Sequence, residues 1–280
     1  MREKRSSSFY FLAAFFCVFL LFLYGPTITI GILSFQGPQG GLTFPMNGVS
    51  LHWFQDLFKQ QAVGDIWGSF RRSFTLGLMV MVTTIIVSVM GGLAFRKKFA
   101  GSTVIFYLVI TSLIIPSILI SLGVGLIFNQ LDLDVHWSTS GFGSQRTWTL
   151  PFGLLIMFAV FNRFDKAYEE AARDLGASPW QTIRYVVLPI IAPSLIGVAL
   201  FGFTLSYDEF ARTLLTSGSY NTLPLEIFGM TTNVTSPVLY ALGTLTTVFS
   251  FVIIAFFLLI ALAARRRQAA KGSDTGKGMV

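Results

Sequence analysis

Charge is scarce in this chain of 280 residues: 12% are Asp, Glu, Lys or Arg, beside 53% hydrophobic and 15% aromatic residues. A soluble domain carries about 25% charged residues. Half that density cannot cover a water-exposed surface of this size. The shortage excludes a soluble enzyme, a disordered chain and a fibrous protein, and leaves a polytopic membrane protein. Cysteine is reduced to Cys17, inside an apolar run, so no intrachain disulfide is expected. His52 and His136 are the only histidines, and both fall in segments read as outer loops. No metal site and no catalytic cluster for a membrane-embedded enzyme is therefore predicted. A net charge of +7 would suggest nucleic acid in a soluble protein. Here it reads as basic loops facing the cytoplasm, with the lipid bilayer and no nucleic acid as partner.

What is abundant is apolar length. A helix needs about 20 mostly apolar residues to cross a bilayer. Six segments qualify: 9–33, 73–95, 103–128, 138–161, 190–215 and 240–264. The fourth opens on Ser138-Thr139-Ser140-Gly141 and holds Gln145 and Arg146, so it either begins in that polar stretch or packs wholly against neighbours. With the N-terminus inside, fifteen basic residues face the cytoplasm and five face out, which predicts both termini cytoplasmic. Residues 1–8 are then a cytoplasmic N-terminus, 9–264 the transmembrane domain and 265–280 a cytoplasmic basic tail. The basic head before Phe9 resembles a signal peptide. No Ala-x-Ala site follows, so it reads as an uncleaved first span. The sequon Asn233-Val234-Thr235 carries little weight.

Two loops stand out. In the outer loop 34–70, Leu51 to Phe58 has aromatics at amphipathic spacing, with Ser50 as a cap. It reads as an interfacial helix or as a docking surface for an outside partner. Between spans four and five, Phe164, Ala167, Tyr168, Ala171 and Leu175 lie on one helical face. Gly176 follows as a left-handed cap. Ser178, Pro179 and Gln181 then restart a helix as cap, first-turn proline and capping-box partner. Trp180, Ile183 and Val187 form a second stripe, and Leu188-Pro189 is expected to end it. The result is a helix–turn–helix elbow with an apolar face and an acidic rim of Asp165, Glu169, Glu170 and Asp174. Such an elbow fits a protein groove, and its carboxylates argue against rest on an anionic leaflet.

In span five, Asp208 and Arg212 stand at i, i+4. Either they neutralise each other, or Glu209 is left as spare charge lining a path for a cationic solute. Thr204 and Ser206 add hydroxyls, and Arg146 could pair with either carboxylate or select an anionic group.

Glu170-Ala171-Ala172, then Gly176, Val186 and Leu188-Pro189, resemble the EAA loop of membrane subunits of binding-protein-dependent ATP-binding-cassette importers. Val186 stands where that pattern usually has Ile. Phe203 to Glu209, Leu223-Pro224-Leu225, Ser236-Pro237 and Ala241-Leu242 are similar to the second permeases of spermidine/putrescine importers. The resemblance implies an all-α type I (MetI-like) permease fold of six transmembrane helices in a bacterial inner membrane. It implies a second permease subunit, two ATPase subunits and a periplasmic substrate-binding protein as partners. It makes 162–189 the coupling loop: Glu170, Ala171, Ala172, Asp174, Gly176, Leu188 and Pro189 would meet the ATPase. No cofactor is expected on this chain, and ATP and Mg would sit on the ATPase. Gly272 to Lys277 lacks Walker A spacing. Val238-Leu239-Tyr240 stands where polyamine permeases carry an acidic residue and an asparagine, so an opine or amino-acid-like solute is the alternative cargo. A stand-alone secondary transporter would usually show inverted repeats, and none is seen.

Overall fold

The computed structural model describes residues 6–59, 64–97, 99–233 and 237–275. Arg2, Lys4, Arg5, Lys98, Val234, Thr235, Ser236, Gly276 and Lys277 lie outside the described residues. Within them the chain is helical: α1 Ser7–Leu33, α2 His52–Leu57, α3 Ile66–Phe95, α4 Ser102–Thr111, α5 Ser117–Gln130, α6 Phe142–Asn162, α7 Ala167–Asp174, α8 Pro179–Thr182, α9 Leu188–Tyr207, α10 Leu223–Asn233 and α11 Val238–Thr275. A π-helical turn, Trp137–Gly141, leads into α6, and a second, Ile183–Val187, joins α8 to α9.

Among the described residues four stretches are long and apolar enough to cross a bilayer: Ser7–Leu33, Ile66–Phe95, Pro179–Tyr207 and Val238–Ala264. A fifth is reached if Trp137–Asn162 and Ala167–Asp174, bent by 70°, count together. Three sequence expectations need correction. The segment 103–128 is two helices, α4 and α5, because Pro116 has no N–H to continue the first. Ser112 closes α4, its hydroxyl donating to Val109 O at 2.7 Å and Thr147 O at 2.8 Å. The fifth span stops at Tyr207, not at residue 215. The elbow's second helix does not end at Leu188-Pro189 but runs on into α9. The wider π turn just before Pro189 accommodates a residue that cannot donate to the preceding turn.

The chain divides into two compact units. In residues 1–66 with 227–251, α1 is apolar all round, as a lipid-facing helix is. Gln36 is wholly buried and organises the loop after it. Its Oε1 accepts from Asn47 N–H at 2.7 Å, and its Nε2 donates to Gly41 O at 3.2 Å. Ser50 Oγ accepts from His52 N–H at 3.0 Å at the start of α2. The Tyr240 hydroxyl donates to Leu42 O at 2.8 Å.

Residues 67–226 with 252–280 hold the helical core. Leu76 and Val80 of α3, Met157 and Phe161 of α6, and Ile191, Val198 and Phe203 of α9 are buried. Lipid tails are as apolar as leucine, so helix association in a bilayer rests on close packing and interhelical hydrogen bonds. Both are present. A Cβ on Gly202 would lie 3.1 Å from Met81 Cα, tighter than ordinary contact, so the missing side chain eases the close approach of α9 to α3. The Thr84 and Thr149 hydroxyls meet at 2.9 Å between α3 and α6.

Candidate functional site

The elbow forms from local signals. Asp165 Oδ1 accepts from Ala167 N–H at 2.9 Å as α7 begins. At its end Gly176 has φ +84°, its N–H donates to Arg173 O at 2.8 Å, and Ala177 N–H donates to Ala172 O at 3.0 Å. That is the Schellman closure, which satisfies two terminal carbonyls. Ser178 Oγ then accepts from Gln181 N–H at 3.3 Å while Gln181 Oε1 accepts from Ser178 N–H at 2.7 Å, a reciprocal capping box.

Glu170, Ala171, Asp174, Gly176 and Pro189 are exposed, and Ala172 and Leu188 are half-buried. Leu175 is 89% exposed, Trp180 64% and Tyr168 56%. This apolar face is left uncovered by the chain's own packing, as a docking face requires. Glu169 departs from the expected rim. Its carboxylate accepts from Arg96 Nη1 at 2.5 Å and lies 3.9 Å from Arg173 Nη2. Arg96 also stands 5.2 Å from the ring centres of both Phe161 and Phe164. The partner is 73 positions away in sequence, and no local pattern announces it.

The second cluster lies where α9 ends. Thr204 Oγ1 donates back to Leu200 O at 2.8 Å. The Ser206 hydroxyl is buried with no hydrogen-bond partner among the described residues. Asp208 is exposed beyond the last turn. Glu209 Oε1 accepts from Arg212 N–H at 3.2 Å. The expected helical pairing of Asp208 with Arg212 does not form, because the helix has already stopped. The Arg212 side chain is instead wholly buried. It donates to Thr147 Oγ1 and stacks 5.1 Å from the Trp148 ring centre. Among the described residues Arg146 pairs with no carboxylate either; it lies 5.1 Å from the ring centre of Phe142.

The irregular segment 208–222 buries its polar middle and leaves Asp208, Leu215 and 218–221 exposed. Arg212, Thr213, Thr216, Ser217 and Thr222 are all buried. Buried non-helical backbone needs partners for its polar groups. The polar start of the fourth predicted span provides the pairing. Ser140 Oγ donates to Thr216 O at 2.8 Å, and Ser144 Oγ to Arg212 O at 3.0 Å. From α5, Ser121 Oγ accepts from Leu215 N–H at 3.0 Å. The span thus both begins in its polar stretch and packs on neighbours. Sequence reasoning missed Ser121, Ser144 and Thr147; serines and threonines on an otherwise apolar helix are the signal that was available. Among the described residues no three His, Cys, Asp or Glu side chains gather as a metal site.

Residues 84–268 match the family of binding-protein-dependent transport system inner membrane components. The chain is 28% identical to the spermidine/putrescine transport system permease protein PotC of Haemophilus influenzae, over 91% of this chain and 97% of that one. It is 26% identical to the putrescine transport system permease protein PotI of Escherichia coli K12, over 80% of this chain and 81% of that one. Among solved structures, a chain of a bacterial ABC transporter involved in the import of the acidic polysaccharide alginate superposes with a TM-score of 0.68. The overlap covers 93% of this chain and 99% of that one at 16% identity, a likeness of fold. The chain belongs to the binding-protein-dependent inner membrane component family, and is a multi-pass permease subunit, the non-catalytic part of an ABC importer.

Proposed function

We propose that this permease imports polyamines of the putrescine and spermidine class. The observation that carries the substrate is the likeness to PotC, which spans nearly the whole of both chains. The chain pairs with a second permease to form the path, with two ATPase subunits beneath and a periplasmic binding protein outside. It carries no cofactor of its own, and ATP hydrolysis belongs to the separate ATPase.

In this reading α4 and α5 together make one broken span, which brings the total to six. Both termini are cytoplasmic, residues 9–264 are the permease domain and 265–280 a basic tail. The α7–α8 elbow is the coupling element. Glu170 and Asp174 meet the ATPase groove, Ala171 and Ala172 allow close approach, and Gly176 makes the turn. Leu188 and Pro189 carry the motion into α9. The uncovered face of Tyr168, Leu175 and Trp180 supports this role. Thr204, Ser206, Asp208, Glu209 and Arg146 line or flank the path, with Asp208 and Glu209 attracting the cationic cargo.

One observation favours a different cargo on the same machinery. Val238-Leu239-Tyr240 offers no carboxylate where polyamine permeases place one, which suits an opine or amino-acid-like solute. Uptake of radiolabelled putrescine, spermidine and a panel of amino-acid-derived solutes into vesicles holding the assembled importer separates the two. Saturable polyamine uptake that Asp208→Asn weakens supports the proposal. Uptake of another solute alone discards the polyamine reading.

A further inference from the structure

Arg96 occupies a position that the importer reading does not use. It sits one residue past the end of α3, and its guanidinium is 5.2 Å from the ring centres of Phe161, in the last turn of α6, and Phe164, just beyond it. The same group donates to Glu169 in α7 at 2.5 Å. Three elements therefore converge on one side chain. An exposed ion pair would contribute little. This one is enclosed: the Arg96 and Glu169 side chains are 16% and 14% exposed. Separating them would leave one charge in a poorly hydrated pocket, and losing one partner leaves the other uncompensated. A planar guanidinium can keep two aromatic contacts and a carboxylate together, which an ammonium cannot match. Arg173 is a second cation near Glu169, but it stands 3.9 Å away and is 62% exposed, and Lys97 and Lys166 line the same cleft. A cleft of about 460 Å³, lined by Arg96 and Lys97 on one side and by Glu169, Arg173 and Thr182 on the other, separates the end of α3 from the elbow, and the Arg96–Glu169 pair bridges it.

We propose that Arg96 is a positioning residue that clasps the α7–α8 elbow to the end of α3, so that α3 and the elbow move as one body. The proposal rests on the coupling role given to the elbow above. A clasp of this kind makes the ATPase's pull act on α3 as well as on α9, which continues from the elbow directly.

The test uses the assembled importer in lipid. Spin labels are placed at Lys97→Cys and Lys166→Cys in a Cys17→Ser background, and their separation is measured nucleotide-free and with ATP and vanadate bound. With Arg96 present, the mean distance is expected to change by less than about 3 Å, below the step of one helical turn. In Arg96→Gln the distance should broaden or shift between states. ATP hydrolysed per solute imported should rise roughly two- to thirtyfold, the range for coupling residues, while the ATPase still co-purifies. Arg96→Lys should fall between, and Arg96→Glu with Glu169→Arg should recover much of the coupling. A larger distance change with Arg96 intact, or an Arg96→Gln complex with unchanged distances and coupling, overturns the clasp. If Arg96→Gln does not assemble, the distance with Arg96 intact still decides. Glu170→Lys separates the two claims: if the ATPase stays bound and coupled in that variant, the elbow reading itself fails.

Discussion

The Ser144 hydroxyl donates to the Arg212 carbonyl at 3.0 Å, and the Arg212 side chain returns to the same helix, donating to Thr147 beside Trp148. This two-way tie fixes the chain after α9 to the polar start of α6. It anchors the middle of the non-helical segment 208–222, whose own backbone bonds are short turns such as Ser217 N–H to Thr213 O at 2.9 Å.

Breaking the tie should cost stability before it costs anything else. Arg212→Met removes the donor to Thr147 and keeps the bulk. The expected loss is about 2 kcal/mol, the range for a buried charged hydrogen bond. Thermal unfolding of the detergent-solubilised chain should fall by roughly 4–8 °C. An unchanged midpoint would mean the buried guanidinium contributes nothing net.

Gly176 gives a cleaner local test. Its φ is +84°, and no atom lies within 4 Å of a Cβ built there. Gly176→Ala therefore meets backbone strain and no clash. The expected cost is roughly 1–2 kcal/mol, confined to the elbow. Hydrogen exchange in α7 should speed up, while the buried amides of α3 and α9 stay protected. Slowed exchange, or a global loss, would contradict this.

Ser178→Ala removes half of the capping box. The expected cost is about 1 kcal/mol. Faster exchange at the amides of Gln181 and Thr182 checks it. Gln181→Ala should have a similar but smaller effect, because the Ser178 cap survives.

Leu175 tests the surface and not the fold. It is 89% exposed, so Leu175→Asp should leave thermal stability unchanged within about 0.5 kcal/mol. Co-purification of the ATPase should nonetheless be lost. Retained association would mean that the apolar face is not the docking face.

Much of this was legible because the signals are short-range. Gly176, Ser178 and Gln181 act within four residues of themselves, and their turn and cap form as the pattern predicts. The apolar runs gave the long helices for the same reason. What the sequence hid was set at a distance or by an exception. Glu169 looked like a rim residue because its partner, Arg96, is on another helix. Arg212 looked like a helical partner for Asp208 because nothing local announces that α9 stops at Tyr207. Pro189 looked like a stop because a π turn that absorbs a proline has no sequence mark of its own. Pro116, by contrast, is visible in the sequence as a break in the helix of the third segment.

The most direct test of the account is the ATPase rate of the importer in lipid vesicles, with and without binding protein loaded with putrescine or spermidine. Loaded binding protein should accelerate hydrolysis, and Glu170→Lys should abolish the acceleration while the spans stay folded. Acceleration that survives Glu170→Lys, or solute transport by the purified chain with no ATPase present, would contradict it.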